Sequence, residues 1–198
     1  MAVHDGFTRA SAVATSLGAW LDPSPVAAAR SLAATGIGVF AEPARCPVWR
    51  QVRDANDSPA LVAHATAHVI GTVDAAAAPE LLTALCRLGV RRAVAIPAAG
   101  ELAFELCDGS VGEIDLAALG GAAAPAGAEA SRRLTRAMAG DAAPVAVVAG
   151  LCIHAAWLAA TPSAGVAAAR TALASGAAER AFDRFLAHAS RAVPQRAA

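Results

Sequence analysis

The alternation of apolar and polar positions is clearest between His68 and Pro97. An apolar run that starts at His68 ends at Asp74, which is typical of a short strand buried on both faces. Pro79 then suits the first turn of a helix, leucines follow at helical spacing, and Gly89 suits the C-cap. A second apolar run stops at Pro97. A strand, a helix and a strand with short connections predict a right-handed βαβ unit and a sheet that is at least partly parallel.

The same patterns predict the elements of the remaining chain. Asp108-Gly109 between two alternating segments indicates a β-hairpin, with Glu105 and Glu113 on its solvent side. A short strand is predicted at residues 37–40. Helices are predicted at residues 11–17, 26–34, 129–139, 144–160, 161–174 and 177–191, the last with Phe182, Phe185 and Leu186 inward. The predicted fold class is α/β, with a mixed, partly parallel sheet, helices on both faces and a C-terminal helical layer, in a single domain spanning residues 1–198.

The predicted helix at residues 144–160 raises the question of a membrane span. Apart from His154, the run from 142 to 160 is apolar and approaches the roughly 20 residues that cross a bilayer. Much of it is Ala and Gly, however, and no Arg or pair of aromatic belts flanks it closely. The pattern therefore favours a buried core helix, the most buried element of the fold, in which His154 bonds to a backbone carbonyl. Burial is expected around Ala146, Ile153 and Leu158.

Composition excludes several classes of function. The chain carries 16 basic and 16 acidic side chains, so no surface for nucleic acid or an anionic membrane is indicated. Every basic residue is Arg, which excludes a Schiff-base lysine and a P-loop lysine. The four cysteines are far apart and form no C-x-x-C pair. Reduced thiols and the lack of an apolar leader in the first residues together favour a cytoplasmic protein.

The least regular stretch, residues 42–59, holds two candidate ligand-binding arginines. A long loop within a compact domain is often functional, and Arg50 and Arg53 could bind a phosphate or carboxylate through bidentate hydrogen bonds. The neighbouring Asp54 and Asp57 could equally neutralise them. Both interpretations stay open at the level of sequence.

Two histidines have the spacing of metal ligands. His64 and His68 are four residues apart, as two zinc ligands on one helix would be. His68 opens the predicted strand, however, and no third ligand is evident in the sequence. The pattern therefore favours ordinary structural roles for both histidines.

Several segments resemble, in sequence and in order, the large α/β domain of the anthranilate phosphoribosyltransferase family. Residues 36–41, Gly-Ile-Gly-Val-Phe-Ala, are similar to the family's Gly-Ile-Gly-Phe-Leu-Phe-Ala. Residues 68–74 and 88–93 are similar to its central strand and the next strand. Residues 3–6 resemble its Lys-His-Gly-Asn-Arg segment, in which His4 is the residue that matches clearly. The resemblance covers nearly the whole chain.

This resemblance implies transfer of a phosphoribosyl group from phosphoribosyl pyrophosphate to an aromatic amine, as in tryptophan biosynthesis. It also implies that Mg²⁺ stabilises the charge of the departing pyrophosphate. It implies that His4 contacts substrate and that Glu101 is the remaining half of an Asp-Glu pair that holds Mg²⁺. The small-molecule partner would be the phosphoribosyl donor or another anion, with Arg50 and Arg53 as further contacts. A companion helical lobe or a second copy of the chain could complete the protein.

The sequence also departs from the family pattern. Family members carry an upstream helical lobe and a Gly-Thr-Gly-Gly-Asp loop whose backbone amides cradle the pyrophosphate, and no such sequence precedes His4. Val3 stands in place of the family's Lys, and the Asn-Leu-Leu-Gly-Pro-Leu-Thr-Asn segment is shortened to residues 56–59. Two hypotheses stay open. The chain is a transferase that needs a missing lobe or partner, or a non-catalytic homologue that binds a small anion or another protein.

Overall fold

The protein is described by a computed structural model that covers residues 2–4, 25–37, 67–72, 75–97, 100–120 and 143–191. The chain divides into two compact units. The sheet unit comprises Met1–Asp5 and Ser58–Ser175, and the helix-pair unit comprises Gly6–Asp57 and Gly176–Ala198. The single domain expected over residues 1–198 stays a prediction.

Five strands of the sheet unit form one mixed sheet in the part of the chain that the structure describes. In chain order they are β1 (Ala2–His4), β2 (His68–Thr72), β3 (Arg92–Pro97), β4 (Leu102–Cys107) and β5 (Ser110–Asp115). Their order in space is the same. The first three strands are parallel, and β4 and β5 each run antiparallel to the preceding strand.

Five helices complete the described structure, and with the mixed sheet they confirm the α/β class. They are α1 (Pro25–Thr35), α2 (Ala78–Arg87), α3 (Ala143–Ala155), α4 (Pro162–Ala174) and α5 (Ala177–Arg191). The predicted helices at residues 11–17 and 129–139, and the predicted strand beyond Ile37, lie outside the described residues.

The predicted βαβ unit is confirmed, with α2 between the parallel strands β2 and β3. Pro79 lies in the first turn of α2, where its missing N–H is not needed. Gly89 ends the helix with a left-handed φ of +87°, a conformation that glycine adopts readily. The Gly89 N–H donates to the Cys86 carbonyl at 2.9 Å and the Val90 N–H to the Leu85 carbonyl at 3.0 Å. These two bonds form a Schellman cap.

The sheet separates two apolar cores, because successive side chains of a strand face opposite sides. On β3, Val94 joins one core, whereas Ala93 and Ala95 join the other. The first core is covered by α3 and α4, through Val147, Leu151, Ala155 and Val166 among others. The second is covered by α2, through Ala78, Leu82 and Leu85. Helices therefore lie on both faces, as the sequence predicts.

The predicted core helix is α3, which ends earlier than expected. None of its described side chains, from Val145 to Ala155, is exposed, which confirms a buried helix. Strand β3 is nonetheless at least as buried, so the expectation that this helix is the most buried element is wrong. The expected burial of Leu158 is also wrong, since that side chain is 78% exposed. The helix stops at Ala155, and Trp157 takes a left-handed φ of +65° that turns the chain outward.

The structure bears on the predicted helix that approached the length of a membrane span. In the described segments, no helix is both long enough and apolar enough to cross a bilayer. The α3 helix has 13 residues, fewer than the roughly 20 that a span requires.

The hairpin of β4 and β5 is confirmed, and its register corrects one expectation. Asp108 and Gly109 both have positive φ, 45° and 93°, as a two-residue type I′ turn requires. The register pairs Glu105 with Gly112 and Phe104 with Glu113. Glu105 and Glu113 therefore lie on opposite faces of the sheet. Glu113 is exposed as expected, whereas Glu105 is partly buried on the α3 side.

The helix-pair unit contains α1 and α5. Phe185 and Ala189 of α5 are buried, and Ile37, Phe182 and Leu186 pack against them. The inward face predicted for the last helix is thus confirmed. At the end of α1, the Thr35 hydroxyl donates to the Ser31 carbonyl at 2.8 Å, and the Gly36 N–H donates to the Leu32 carbonyl at 2.9 Å.

Helices α3 and α4 approach closely at two glycines. A Cβ atom added to Gly150 would lie 2.5 Å from the Cα of Val166, and one added to Gly165 would overlap the carbonyl oxygen of Gly150. Backbone atoms on both sides leave no flexible side chain to move away. Both positions therefore require glycine because it has no side chain. Neither residue has a positive φ, so backbone conformation is not the reason.

We predict that Gly165→Ala destabilises the protein by about 1–3 kcal/mol or more, because the overlap with backbone exceeds the roughly 1 kcal/mol that Ala gains in a helix. Urea unfolding measures the change. The matched control is Gly112→Ala, where an added Cβ meets no atom within 4 Å, and its stability should stay within about 0.5 kcal/mol. Equal stability of the two variants would contradict the proposed close approach.

Candidate functional site

The carboxyl ends of β1, β2 and β3 meet at one edge of the sheet, called here the carboxyl edge. His4 is the last residue of β1, and β2 and β3 end at Thr72 and Pro97. Glu101 precedes β4, which is antiparallel to β3, and so lies at the same edge. Ligands of open α/β sheets bind outside the carboxyl ends of the strands. Two of the sequence-predicted site residues, His4 and Glu101, are thus brought to the expected edge.

The register fixes the separation of these two residues along the sheet. His4 is level with Ile70, which is level with Ala95, which is level with Phe104. His4 and Phe104 are therefore separated by three spacings between neighbouring strands. Glu101 lies three residues before Phe104 along β4, and the two components together place the Cα atoms of His4 and Glu101 roughly 17 Å apart. Metal–ligand bonds are about 2 Å long, so a single ion cannot bridge two residues whose Cα atoms are this far apart. A ligand that contacts both must be extended.

Glu101 is an isolated carboxylate among the described residues. Its backbone carbonyl accepts a hydrogen bond from the Leu116 N–H at 2.8 Å, and its side chain is exposed. Asp115 lies near in the next strand, but it is level with Leu102 and so faces the other side of the sheet. Its Oδ1 atom accepts from the N–H groups of Ala117 and Ala118 at 2.8 and 3.1 Å.

The described residues therefore do not form a magnesium site. Within the described ranges, no three His, Cys, Asp or Glu side chains are grouped so that they could hold a metal ion. Mg²⁺ needs several well-placed oxygen atoms and otherwise keeps its water. Glu101 alone does not meet this requirement.

The remaining sequence candidates divide between described and undescribed residues. Arg50, Arg53 and His64 lie outside the described residues. His68 is fully buried and belongs to β2. The i, i+4 spacing of zinc ligands applies to a helix. His68 belongs to a strand, so the spacing of His64 and His68 does not support a zinc site.

A buried polar cluster lies at the opposite end of β3, where the sequence suggested no site. Its members are Arg92 at the start of β3, Glu105 on β4 and His154 on α3. The His154 Nε2 atom lies 2.8 Å from Glu105 Oε1, and its Nδ1 atom lies 3.0 Å from the Ala159 carbonyl oxygen. Arg92 Nη1 donates to the His154 carbonyl at 3.1 Å, and Nη2 lies 3.5 Å from Glu105 Oε1.

The carbonyl bond expected for His154 is confirmed, but its contact with Glu105 was not predicted. His154 is 3% exposed and Arg92 is 8% exposed, so bulk water solvates neither side chain. The buried Arg92 guanidinium needs a partner of opposite charge, and Glu105, which also contacts His154, supplies it. The available signal was an Arg at the start of a buried strand, together with a lone His in an apolar helix.

Trp157 covers this cluster from outside. The Arg92 guanidinium carbon lies 4.5 Å from the centre of the Trp157 ring, within the range of a cation–π contact. The Arg92 Nε atom is buried and finds no acceptor among the described residues. A bulky side chain at positive φ is strained, so the contact with Arg92 helps to hold Trp157 in this conformation.

The Cys152 thiol lies in the core between α3 and the sheet. Desolvation by burial disfavours the thiolate and raises the pKa of Cys152 from 9.0 to about 11. A thiol in this state is a poor nucleophile at neutral pH. Cys152 is therefore a packing residue.

We predict that this thiol makes the protein less stable at alkaline pH. Since its pKa is higher in the folded state, its stabilising effect is complete below about pH 9 and is lost as the pH rises towards 11, by on the order of 2 kcal/mol. The chain has no Lys or Tyr to titrate in this interval. Urea unfolding of wild type and Cys152→Ala, measured from pH 8 to pH 11 at intervals of about one pH unit, tests this prediction. A variant with the same alkaline loss as wild type would show that another group is responsible.

Comparison with solved structures gives a likeness over most of the chain. The structure is similar to the crystal structure of anthranilate phosphoribosyltransferase (TrpD) from Thermus thermophilus, with a TM-score of 0.66 and 24% sequence identity. The match covers 96% of this chain and 67% of that chain. No protein-family model matches the sequence, and no curated protein matches it. The likeness shows that the chain has a phosphoribosyltransferase-like fold.

Proposed function

We propose that this chain is a phosphoribosyltransferase-like protein that binds a phosphoribosyl donor at the carboxyl edge but does not complete transfer to an aromatic amine by itself. The observation that carries the proposal is the likeness to the anthranilate phosphoribosyltransferase structure over 96% of the chain. The sequence segments that resemble the family point in the same direction. A role in tryptophan biosynthesis belongs to the same proposal.

Donor binding is supported by the position of the candidate residues. His4 ends β1 at the edge of the sheet where α/β proteins bind ligands. Arg50 and Arg53 belong to the sequence that connects β1 with β2, and guanidinium groups bind phosphate through paired hydrogen bonds. The separation of roughly 17 Å between His4 and Glu101 suits an extended, polyanionic ligand better than a compact one.

The expectation of weak catalysis follows from the charge that develops on the departing pyrophosphate. Such a leaving group needs fixed hydrogen-bond donors or metal ions at the place where the charge appears. The 198 residues contain no Gly-Thr-Gly-Gly-Asp sequence, and Glu101 is an isolated carboxylate among the described residues. Binding can persist without these groups because recognition of phosphate by Arg and His does not depend on them.

The alternative is a non-catalytic homologue that binds a small anion or another protein. The exposed, isolated Glu101 favours it, since a carboxylate without a second ligand is a poor metal site. The two proposals differ in ligand selectivity. A donor-binding protein should prefer phosphoribosyl pyrophosphate to inorganic pyrophosphate, whereas a general anion site should bind both similarly.

We predict that His4→Ala, Arg50→Ala and Arg53→Ala each weaken binding of the magnesium complex of phosphoribosyl pyrophosphate about tenfold or more, as expected for loss of a charged hydrogen bond. Isothermal titration calorimetry measures the affinity. The matched control is Arg91→Ala, which removes an exposed Arg at the opposite end of β3 and should leave the affinity unchanged. Unchanged affinity in both Arg50→Ala and Arg53→Ala would assign residues 42–59 to surface charge balance.

We also predict that the chain alone does not consume anthranilate above background with excess donor and magnesium. Loss of one preorganised donor costs roughly a hundred- to a thousand-fold in rate, and here a set of donors is missing. Anthranilate fluorescence follows the reaction, with protein prepared from a host that lacks its own enzyme. Steady turnover that His4→Ala abolishes would show that this chain carries a complete active site.

A further inference from the structure

The turn between α3 and α4, residues 156–161, carries two large apolar side chains at the surface. Trp157 is 53% exposed, and Leu158, at 78%, is the most exposed of the large apolar side chains in the described ranges. Single exposed leucines are common on soluble proteins, whereas adjacent exposed apolar residues that include a tryptophan are typical of surfaces that bind another protein. The turn is therefore a candidate contact surface.

Folding of the turn does not account for Trp157. The residue has a φ of +65°, a conformation that glycine adopts at lower cost. Two backbone bonds close the turn, from the Trp157 N–H to the His154 carbonyl at 3.0 Å and from the Leu158 N–H to the Ile153 carbonyl at 3.1 Å. Glycine in place of Trp157 would make the same two bonds. The indole ring gains a cation–π contact with Arg92, but at a half-exposed position such a contact is no larger than the conformational cost.

Two opposite charges border the exposed ring. The Arg91 guanidinium carbon lies 5.9 Å from the centre of the Trp157 ring. The Arg91 Nη2 atom is 2.8 Å from Asp108 Oδ1, and the two side chains remain 74% and 49% exposed. The Asp108 N–H donates to the Arg91 carbonyl at 3.0 Å, which fixes the hairpin turn beside the start of β3. These four residues, Arg91, Asp108, Trp157 and Leu158, are called here the amino-end patch.

The amino-end patch is complementary to itself. A two-fold axis brings the same surface of two copies together, so that a contact from one residue to a second also occurs from the second to the first. Arg91 of each copy can then face Asp108 of the other, while Trp157 and Leu158 bury their apolar surface between the copies. A partner with charges of a single sign would meet one like charge in the patch. The chain has 16 basic and 16 acidic side chains, so no net repulsion separates two copies.

We propose that the amino-end patch is the contact surface of a two-fold dimer of this chain. The patch lies at the end of β3 opposite the carboxyl edge, so the proposal does not depend on donor binding. Two apolar side chains and one ion pair from each copy would form a smaller contact than the roughly 800 Å² per partner of a standard interface. The dimer is therefore expected to be weak and reversible, with a Kd on the order of 10 µM.

Analytical ultracentrifugation of the intact chain, from about 1 µM to about 300 µM, tests the proposal. We expect the average mass to rise from 19.6 kDa towards twice that value. Leu158→Asp places two carboxylates in the contact and should raise the Kd at least about tenfold. The matched control is Leu32→Asp, the same change at an exposed leucine of α1, which should leave the Kd unchanged. A wild-type chain that stays monomeric, or equal Kd values for the two variants, overturns the proposal.

An exchange of charges shows whether the ion pair acts between copies. Arg91→Glu makes the patch wholly negative and Asp108→Lys makes it wholly positive, so each variant alone places like charges opposite each other. Each should raise the Kd at least about tenfold. An equimolar mixture of the two variants should recover dimers, because opposite charges then face each other in both halves of the contact. A pair that acts only within one chain is not restored by mixing, so a mixture that stays monomeric overturns the proposal.

Trp157→Gly separates a role in the contact from a role in the fold. Because the left-handed φ suits glycine, the urea midpoint of the monomer should be unchanged or higher. The Kd should nevertheless rise at least about tenfold, since the variant lacks the ring that the second copy covers. A variant that dimerises with the Kd of wild type overturns the proposal. If Asp108→Lys does not fold, the comparisons at Leu158 and Trp157 still decide the question.

Discussion

The hydrogen bonding of β3 to both of its neighbours is the interaction on which the sheet unit depends. β3 is parallel to β2 and antiparallel to β4, so the sheet changes direction at this strand. Its side chains also divide the two cores, with Val94 on one face and Ala95 on the other. A slip of one residue would exchange these faces. It would also carry Arg92 away from Glu105, so the strand register fixes both the packing and the placement of buried charge.

The two ends of the parallel strands differ in how their polar side chains are placed. At the carboxyl edge, His4 ends a strand and Glu101 is exposed. At the other end, Arg92, Glu105 and His154 contact one another inside the protein, and the Arg92 Nε atom has no acceptor among the described residues. Buried ion pairs contribute little to stability compared with apolar packing, but the loss of one partner is costly. Removal of one member of the cluster is therefore expected to cost more stability than the intact cluster contributes.

Much of the fold could be predicted from the sequence because local signals agreed with tertiary structure. Pro79 and Gly89 mark the ends of a helix wherever it packs, so the βαβ unit and its parallel strands followed. The prediction that Glu105 and Glu113 share the solvent side was wrong, although the turn specified otherwise. A two-residue turn pairs odd positions of one strand with even positions of the other, which places two odd-numbered residues on opposite faces. The end of α3 could not be predicted, because Trp157 takes a conformation that the sequence would assign to glycine. The distances at the candidate site depend on strand order, which local patterns do not specify.

The exposed hairpin strand β5 has a consequence for the behaviour of the protein in solution. In the described part of the sheet it is an edge strand, so one row of its backbone donors and acceptors has no partner strand. Such an edge can recruit the same strand from another molecule and start aggregation. Glu113 and Asp115 oppose such pairing, because two copies of β5 side by side would bring like charges together. Gly112 also lowers the β-propensity of the strand. The hairpin can thus remain open to water without becoming a template for fibres.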